Sequence, residues 1–257
     1  MRPVLLASLL AVPMLQARQE TGFLNRSIAV KGTTYKYVVY LPPDYTKSKR
    51  WPVVLFLHGA GERGEDGLAQ TQVGIGGAVR FHADRFPAVI VMPQCRKEVW
   101  WSDPAMEAQA LAALDASIKE FKGDKSRVYL TGLSMGGYGT FAIGAKHAAR
   151  FAAMAPICGG AVRPNRRGVP QEPPPVGDPY ATLAKGIGNK PIWIFHGAAD
   201  PIVPVTESQR MRDAIKAAGG DPKYTEYPGV VHNSWDKAYG EVEFPKWLFS
   251  HHLDRKP

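Results

Sequence analysis

Residues 128–137 read Val-Tyr-Leu-Thr-Gly-Leu-Ser-Met-Gly-Gly, and this stretch decides the fold. It opens with an apolar, β-branched run typical of a buried strand and leads into Tyr138 to His147, which favours a helix. Between the two lies the pattern Gly-x-Ser-x-Gly, in the strand, turn, helix context that presents a serine nucleophile. So sharp a turn crowds the backbone, and only glycine fits at Gly132 and Gly136. We therefore predict that Ser134 stands clear of a sheet at a helix N-terminus, where developing negative charge is stabilised.

The alternative is a glycine-rich turn that only packs a helix against its strand, and the context disfavours it. A serine hydroxyl is a weak nucleophile, so a catalytic Ser134 needs a base, and the base needs an acid that orients it. With a nucleophile on this kind of turn, the acid and then the base follow in loops after later strands. His232 lies after the strand pattern Lys223 to Tyr227, and Asp200 lies directly after the apolar run Ile192 to Phe195. The sequence therefore predicts a triad of Ser134, Asp200 and His232.

Other histidines and aspartates fit these two roles less well. His251 and His252 lie near a charged C-terminus, which favours solvation. His196 ends a strand and is more typical of a packed side chain than of a base. Asp178 belongs to a proline-rich loop and Asp221 to a turn. Position along the chain therefore leaves the predicted triad unchanged.

A tetrahedral intermediate also needs N–H donors that point at its oxyanion. His58-Gly-Ala-Gly61 follows the apolar run Val53 to Leu57, so its loop should approach the turn that carries Ser134. We assign the two donors to the N–H groups of Ala60 and Met135. The position next to Ala60 in the first loop remains an alternative.

Four charged residues follow this loop at once: Glu62, Arg63, Glu65 and Asp66. An ion-pair cluster that braces the loop is the better interpretation. A metal site is the poorer one, because His58 is the only histidine or cysteine near them in sequence.

The rest of the chain alternates strand and helix patterns. Ser27 to Val30 and Thr34 to Leu41, with Gly32 between them, predict an opening antiparallel hairpin. Short apolar runs suit strands of a parallel sheet that is covered on both faces; they are Val53 to Leu57, Ala88 to Met92, Val128 to Thr131, Phe151 to Ala155 and Ile192 to Phe195. Asp103 and Pro104 mark one helix start. Thr206 with Gln209 resembles a capping box, in a helix that ends at Gly219-Gly220. The alternation predicts a doubly wound α/β domain with a mostly parallel sheet and helices on both faces.

Composition limits the class of protein. The chain has 257 residues, of which 45% are hydrophobic and 21% charged, enough for one domain with a substantial core. Its net charge of +9 raises the question of an anionic partner, but the basic residues are scattered rather than blocked, so we expect no nucleic-acid partner. The two cysteines, Cys95 and Cys158, allow one disulfide and no cysteine-rich metal site.

The first seventeen residues do not fit that core. Met1-Arg2 is a short positive start, Pro3 to Leu15 is almost wholly apolar, and Ala17 provides a small residue at a cleavage point. This pattern predicts a secretory signal over residues 1–17, a single catalytic domain over 18–257, and a secreted or periplasmic protein. An uncleaved anchor is the alternative, but a span of the bilayer takes about 20 apolar residues and this run is shorter.

The segment from Gly159 to Asp178 holds five prolines and three arginines, Arg163, Arg166 and Arg167. So many prolines exclude a helix or an inner strand and predict a loop. It is either an inert surface connection or a cap over a site at the strand ends.

Four motifs together carry a family resemblance. They are His58-Gly-Ala-Gly-Glu-Arg-Gly64, Gly132-Leu-Ser-Met-Gly-Gly137, His196-Gly-Ala-Ala-Asp-Pro201 and His232-Asn-Ser-Trp235. In this order they resemble the α/β-hydrolase superfamily, and within it bacterial secreted carboxylesterases, phospholipase/carboxylesterases and putative peptidases, similar to feruloyl esterases and polyhydroxybutyrate depolymerase-like enzymes. The resemblance covers nearly all of the chain after Ser27 and implies the same triad with no cofactor. Members often have aspartate where Asn233 stands.

Two expectations depend on where the loops lie. Trp100-Trp101 follows the strand pattern Ala88 to Met92, so it should lie on the same face as Ser134 and form an apolar acyl or aryl wall. Loop packing is the alternative role. In the family's sheet two strands separate those that precede Cys95 and Cys158, or about 14 Å at about 4.8 Å per strand. A disulfide tolerates only about 7 Å between Cα atoms, so the bond is disfavoured.

We therefore expect a secreted serine esterase that cleaves short-chain, aryl or feruloyl-type esters through an acyl-enzyme. Its partner would be a small-molecule or polymer-linked ester, with no stable membrane anchor. The alternatives are a serine peptidase and a non-catalytic binding protein on the same fold. The second alternative would predict a broken triad, whereas this one is intact.

Overall fold

The computed structural model describes residues 20–164 and 177–254. The predicted signal segment, residues 1–17, lies outside them, as do Arg166 and Arg167 of the proline-rich loop. The strands are β1 (Gly22–Val30), β2 (Thr33–Leu41), β3 (Trp51–Leu57), β4 (Val89–Pro93), β5 (Gly123–Leu133), β6 (Ala153–Ile157), β7 (Trp193–Gly197) and β8 (Lys223–Tyr227). The helices are α1 (Ile75–Phe81), α2 (Pro104–Glu120), α3 (Met135–Lys146), α4 (Pro179–Ile187), α5 (Thr206–Ala217), α6 (Trp235–Gly240) and α7 (Glu243–Ser250).

All eight strands form one sheet in the order β1-β2-β4-β3-β5-β6-β7-β8. The first two strands form the predicted hairpin, in which Val30 pairs with Thr33 across a turn at Lys31 and Gly32. Both turn residues have positive φ, as a two-residue hairpin of the favoured twist requires. β2 runs antiparallel to β4, and every later pair is parallel. The predicted mostly parallel, doubly wound sheet is therefore confirmed.

The core has two halves, one on each face of the sheet. Alternate residues of β3 belong to opposite halves: Val53, Leu55 and Leu57 pack on one face, and Val54 and Phe56 pack on the other. Helices α2, α3, α4 and α5 cover the first face, and α1, α6 and α7 cover the second. Since both faces are covered, the strand runs are apolar at consecutive positions, and each fully buried large side chain contributes about 1.5–3 kcal/mol.

Both predicted helix starts are confirmed, but the side-chain caps predicted for them do not form. α5 begins at Thr206, but its N-cap is Val205, and the Gln209 side chain binds Glu226 instead of closing a capping box. Asp103 stands at the N-cap of α2 without capping it by its side chain, because that carboxylate accepts the Trp100 N–H at 2.7 Å. In both cases a partner outside the helix binds the side chain that local pattern assigned to the cap.

The two cysteines are buried free thiols, so no disulfide forms between them. Cys95 follows β4 and Cys158 follows β6, and β3 and β5 lie between these strands. Burial raises the pKa of each thiol to about 12. The expectation against a disulfide is confirmed. Within residues 20–164 and 177–254, no helix is long and apolar enough to cross a membrane.

Candidate active site

Ser134 lies on the predicted sharp turn between β5 and α3. Its φ of 52° and ψ of −117° lie outside the regions that most residues adopt, and its N–H donates to the carbonyl of Ile157 on β6 at 2.9 Å. α3 begins at the next residue, Met135. The serine is therefore held at a helix N-terminus by a strained backbone that the neighbouring strand fixes.

The two predicted glycines are required by close approach of the backbone. A Cβ on Gly136 would lie 1.8 Å from the carbonyl oxygen of Leu57, at the end of β3. A Cβ on Gly132 would lie 2.5 Å from the carbonyl oxygen of Gly136. The turn therefore packs directly on the end of the neighbouring strand.

The structure brings the three predicted triad residues together. The hydroxyl of Ser134 and Nε2 of His232 are 2.9 Å apart, and Nδ1 of His232 lies 2.7 Å from Oδ2 of Asp200. A carboxylate only accepts, so Nδ1 carries the hydrogen, and Nε2 is left to accept the hydrogen of the serine hydroxyl. The side chain of Asp200 is fully buried and that of His232 is 19% exposed. This is the arrangement in which an imidazole can remove the serine proton.

Backbone contacts hold the acid and base loops against each other. Ala198 donates to the carbonyl of Tyr227, and Ala199 donates to that of Val230 at 3.0 Å. A Cβ on Gly197 would lie 2.3 Å from the Val230 carbonyl oxygen, so the two loops are in direct contact. His232 follows two residues later, which places its ring over Asp200.

Asp200 is held as a carboxylate. Burial acts to raise its pKa, but hydrogen bonds from His196, His232 and the N–H groups of Val203 and Ile202 outweigh it and set the pKa well below the usual range. The two backbone N–H groups bind Oδ1 at 2.9 and 3.0 Å, which leaves Oδ2 to the histidines. The acid is therefore charged over the whole range in which a histidine acts as a base.

The predicted oxyanion donors lie at two helix starts that face the same turn. Ala60 begins a short 3-10 helix, Ala60–Glu62, after the N-cap Gly59, and Met135 begins α3. A Cβ on Gly59 would lie 3.7 Å from Cβ of Ser134. First-turn N–H groups have no partner within their own helix, so they are available to an anion. The structure thus brings the Ala60 and Met135 helix starts to the nucleophile.

Trp101 is not a substrate wall, and this prediction is corrected. It has no exposed surface, and its Nε1–H donates to the carbonyl of His58 at 2.9 Å. The His58 ring, also fully buried, accepts the Cys95 N–H at Nε2, so its own hydrogen is on Nδ1, 2.6 Å from the Gly59 carbonyl. Burial lowers the pKa of His58 to about 4. Trp101 and His58 therefore support residues 58–61, the predicted oxyanion loop, from beneath.

Trp100, by contrast, is half-buried beside α3. Its ring meets that of Tyr138 edge to face, with centroids 5.7 Å apart. The guanidinium groups of Arg163 and Arg63 lie 5.2 and 5.5 Å from its centre. Arg163 also donates to Asp103 and is thus paired rather than solvated. An indole held in this way presents a rigid aromatic edge.

Two members of the predicted ion-pair cluster, Glu65 and Asp66, bind partners outside it. Glu65 pairs with Arg96 at 3.2 Å, while Asp66 accepts the N–H groups of Leu68 and Ala69 and so shapes a turn. The charges still brace the loop, but through partners farther along the chain.

Three side chains at the triad lie close enough together to be considered as metal ligands. Cys158, Asp200 and His232 place ligand atoms within 4.8 Å of one another. Both ring nitrogens of His232 are, however, already hydrogen-bonded, and burial keeps the Cys158 thiol protonated, with its pKa raised to about 12. These three residues fit a metal poorly.

The competing residues have other roles. Asp178 caps α4 by accepting the Tyr180 N–H at 2.9 Å, and Asp221 is exposed. His252 is exposed, as predicted, whereas His251 is half-buried against Trp247.

Asn233 lies beside the base but does not bind it. Its amide donates to Asp236 at 3.2 Å, within the turn that begins α6. The departure from aspartate at this position therefore leaves the triad contacts unchanged.

One residue at the site escaped the sequence argument. His196, predicted to be a packed side chain, is buried as expected, but its Nε2 also lies 3.3 Å from Oδ2 of Asp200. A spacing of four residues across a strand end gives no sign of such a contact. The local signal is Asp200-Pro201, because an aspartate that bonds the N–H groups two and three residues on folds its loop back toward the strand.

A doubly wound sheet with a serine, histidine and aspartate at its strand ends defines the α/β-hydrolase superfamily. Residues 77–240 match the model of the dienelactone hydrolase family, a span that contains Ser134, Asp200 and His232. The chain belongs to this family.

Individual relatives agree with this placement. A thermostable esterase of known structure is 32% identical, with a TM-score of 0.72 over 90% of this chain and 63% of its own. A ferulic acid esterase, 18% identical, shares the fold with a TM-score of 0.65 over 88% of this chain and 96% of its own. Acyl-protein thioesterase 1 of Gibberella zeae is 36% identical over 53 residues, or 21% of this chain and 23% of the relative. The chain thus spans less than two thirds of the thermostable esterase and aligns with about a quarter of the thioesterase.

Proposed function

We propose that the protein is a serine esterase that hydrolyses carboxylic esters through an acyl-enzyme. The observation that carries this proposal is the unbroken chain from the Ser134 hydroxyl to His232 at 2.9 Å and from His232 to Asp200 at 2.7 Å. The resemblance to a thermostable esterase at 32% identity supports the same class of reaction. A non-catalytic binding protein would have no need of this geometry.

The reaction runs in two stages. Ser134 Oγ attacks the ester carbonyl while its proton passes to Nε2 of His232, and Asp200 stabilises the imidazolium that results. The N–H groups of Ala60 and Met135 receive the oxyanion, and the tetrahedral intermediate collapses as His232 gives its proton to the departing alkoxide. Water then attacks the acyl-enzyme by the same route, which releases the acid and restores Ser134.

We propose that compact acyl groups, short-chain or aromatic, are the preferred substrates. Trp100 supports this preference because its indole packs on Tyr138, in the helix that begins beside Ser134, and an aromatic contact favours an aryl ring by about 0.5–1.5 kcal/mol beyond area burial. The shared fold of a ferulic acid esterase supports hydroxycinnamoyl esters as the first class to test. The apolar leader supports a secreted or periplasmic location.

Ser134→Ala tests the chemistry. We expect kcat for a short-chain aryl ester to fall by roughly 10⁶, because the nucleophile and base act as one unit, and His232→Ala should cost about as much. The double variant should be no slower than either single one. Ester hydrolysis by purified, folded Ser134→Ala at the wild-type rate would overturn the proposal.

A substrate panel tests the specificity. It should contain acetyl, butyryl, hydroxycinnamoyl and sixteen-carbon acyl esters, a triglyceride emulsion and peptide amides, compared by kcat/KM. We expect the short and aryl esters to be cleaved fastest. A preference for the sixteen-carbon chain, which needs a deep apolar channel since each CH₂ contributes about 0.8 kcal/mol, would contradict it and indicate a lipase. Faster cleavage of the amides would indicate a peptidase.

A further inference from the structure

His196 is a fully buried histidine that the mechanism above does not use. Its ring lies at the end of β7 with three polar neighbours. Nδ1 is 2.7 Å from the Ser208 hydroxyl, while Nε2 is 3.0 Å from the carbonyl oxygen of Val203 and 3.3 Å from Oδ2 of Asp200. Burying the two ring nitrogens of an imidazole costs free energy unless each nitrogen is hydrogen-bonded.

The neighbours fix where a hydrogen must be. Both partners of Nε2 are acceptors without a hydrogen of their own, a carbonyl and a carboxylate. A bare Nε2 lone pair would therefore face two oxygens with no water to separate them, so Nε2 must carry a hydrogen. Ser208 can donate to or accept from Nδ1, so the other nitrogen does not alter this conclusion.

Four N–H groups therefore lie at the Asp200 carboxylate. Those of Ile202 and Val203 donate to Oδ1, and His232 binds Oδ2 at 2.7 Å. The Nε2–H of His196 donates to the Val203 carbonyl at 3.0 Å, and the same nitrogen lies 3.3 Å from Oδ2. What His196 adds is thus a second N–H dipole beside the oxygen that holds the base.

We propose that His196 is a positioning residue of the triad whose Nε2–H lies against Oδ2 of Asp200, beside His232, and so limits how tightly the carboxylate keeps a proton on the base. The proposal rests on the esterase function above. A carboxylate whose charge is partly satisfied by another donor attracts an imidazolium less. Loss of the His196 N–H should therefore strengthen the attraction between Asp200 and a protonated base.

Three other ionisable groups lie on the elements packed around His196. Glu226 is its register partner on β8, with its carboxylate bound by Tyr224 and Gln209. Cys158 lies beyond β6, where burial raises the pKa of its thiol to about 12, so it brings no charge. Glu207 on α5 is bound by Tyr180 and by the Ala161 N–H. Asp200 and His232 are therefore the groups whose proton a change at His196 would move.

The test compares three variants by the pH dependence of kcat/KM on an aryl ester. His196→Leu keeps an apolar side chain but has no donor, and the midpoint of the acidic limb should rise by about 0.5–1 pH unit. His196→Gln retains an N–H that can reach Oδ2, and its midpoint should stay near that of the wild type. Thr131→Val, which removes a buried hydroxyl that bonds Ala155 and Tyr239, is the matched control and should leave the midpoint unchanged.

An unmoved midpoint in His196→Leu, or an equal shift in His196→Gln, would overturn the proposal. A pH titration of the His232 ring by NMR compares the same variants without any substrate. It therefore tests the role of His196 even if the protein does not hydrolyse esters. Because His196 is buried, the leucine variant can fail to fold. Long-range ¹H–¹⁵N spectra of the wild-type protein then decide, since Nε2 of His196 must carry a hydrogen at pH 5–9 and a bare Nε2 would overturn the proposal.

Discussion

At the scale of single residues, Trp100 and Trp101 are neighbours in one loop on the face that carries Ser134, and both are indoles. One ring, however, is half-buried beside Tyr138, while the other is fully buried under the oxyanion loop. Neighbouring residues in a loop point in different directions, and no periodicity in the sequence fixes which one faces solvent.

The two tryptophans should respond to mutation in different ways. Trp101→Phe removes a buried donor to the His58 carbonyl, so we expect the free energy of unfolding to fall by about 1–3 kcal/mol, measured in urea. Trp193→Phe is the control, because its partner Thr225 is only part-buried and water can replace the bond. Trp100→Ala should instead lower kcat/KM for aryl esters more than for acetyl esters. Equal losses for both ester classes would rule out an aryl-binding role.

The acid can be distinguished from its competitors by conservative changes. Asp200→Asn should lower kcat by about 10⁴, because the amide stabilises the wrong tautomer of His232. Asp178→Asn should leave kcat within about threefold, since asparagine caps a helix as well as aspartate does. Asp221→Asn changes an exposed side chain and should also be silent. Loss of turnover in Asp178→Asn would place the acid on the proline-rich loop.

The triad residues were predictable because each stands directly after a strand pattern, and strand order fixes which loops meet. The contact of His196 with Asp200 was not, because it depends on the turn from Asp200 to Val203 that folds the carboxylate back toward its own strand. The sequence pattern predicts a histidine at a strand end. Its contact with Asp200 depends on the conformation of the loop, which the spacing of the two residues does not predict.

At the scale of elements, the strands were predicted better than the ends of the helices. Lys223 to Tyr227 forms β8 as expected, and the other predicted runs each lie in a strand with shifted ends. β6, for example, covers Ala153–Ile157, because parallel pairing with β5 and not hydrophobicity sets its limits. Helix caps were less predictable because Asp103 and Gln209 each bind a tertiary partner, Arg163 and Glu226.

The turn between β5 and α3 should tolerate no side chain at Gly136. Gly136→Ala would place a Cβ 1.8 Å from the Leu57 carbonyl oxygen, so the turn must move. We expect at least about 1–3 kcal/mol of destabilisation from overpacking, and a fall in kcat of about 10² or more from misplacement of Ser134. Gly77→Ala in α1 is the matched control, because nothing lies within 4 Å of its added Cβ. That change should stabilise the protein by about 0.5–1 kcal/mol, and comparable losses in both variants would contradict this account.

At the scale of the whole molecule, the strand order brings together loops that are far apart in sequence. Strand order places β3 and β5 side by side, so the oxyanion loop meets the nucleophile, and places β7 beside β8, so the acid meets the base. The same order keeps the two thiols on strands that are not neighbours. Stability therefore depends on the packed core and not on a cross-link between Cys95 and Cys158, whichever compartment the protein occupies.

The pH dependence of stability should follow from His58 beneath the oxyanion loop. Its pKa is about 4 in the folded chain against 6.5 for an ordinary histidine, because burial disfavours the charged ring. Between these values the unfolded chain binds a proton that the folded chain does not, so stability falls as pH decreases from about 6.5 to about 4, by about 3 kcal/mol in all. Half-buried His251, whose pKa is also lowered, adds a loss of the same sign.

Urea unfolding at pH 6.5 and pH 5 measures this slope above the range in which most carboxylates titrate. His58→Asn removes the titrating ring and should flatten the curve there, even though it lowers stability throughout. Asp200 acts farther down, because a carboxylate with a depressed pKa contributes stability that is lost only as pH falls below its unfolded value near 4. An equal slope in wild type and His58→Asn would show that the buried ring is not the group that takes up the proton.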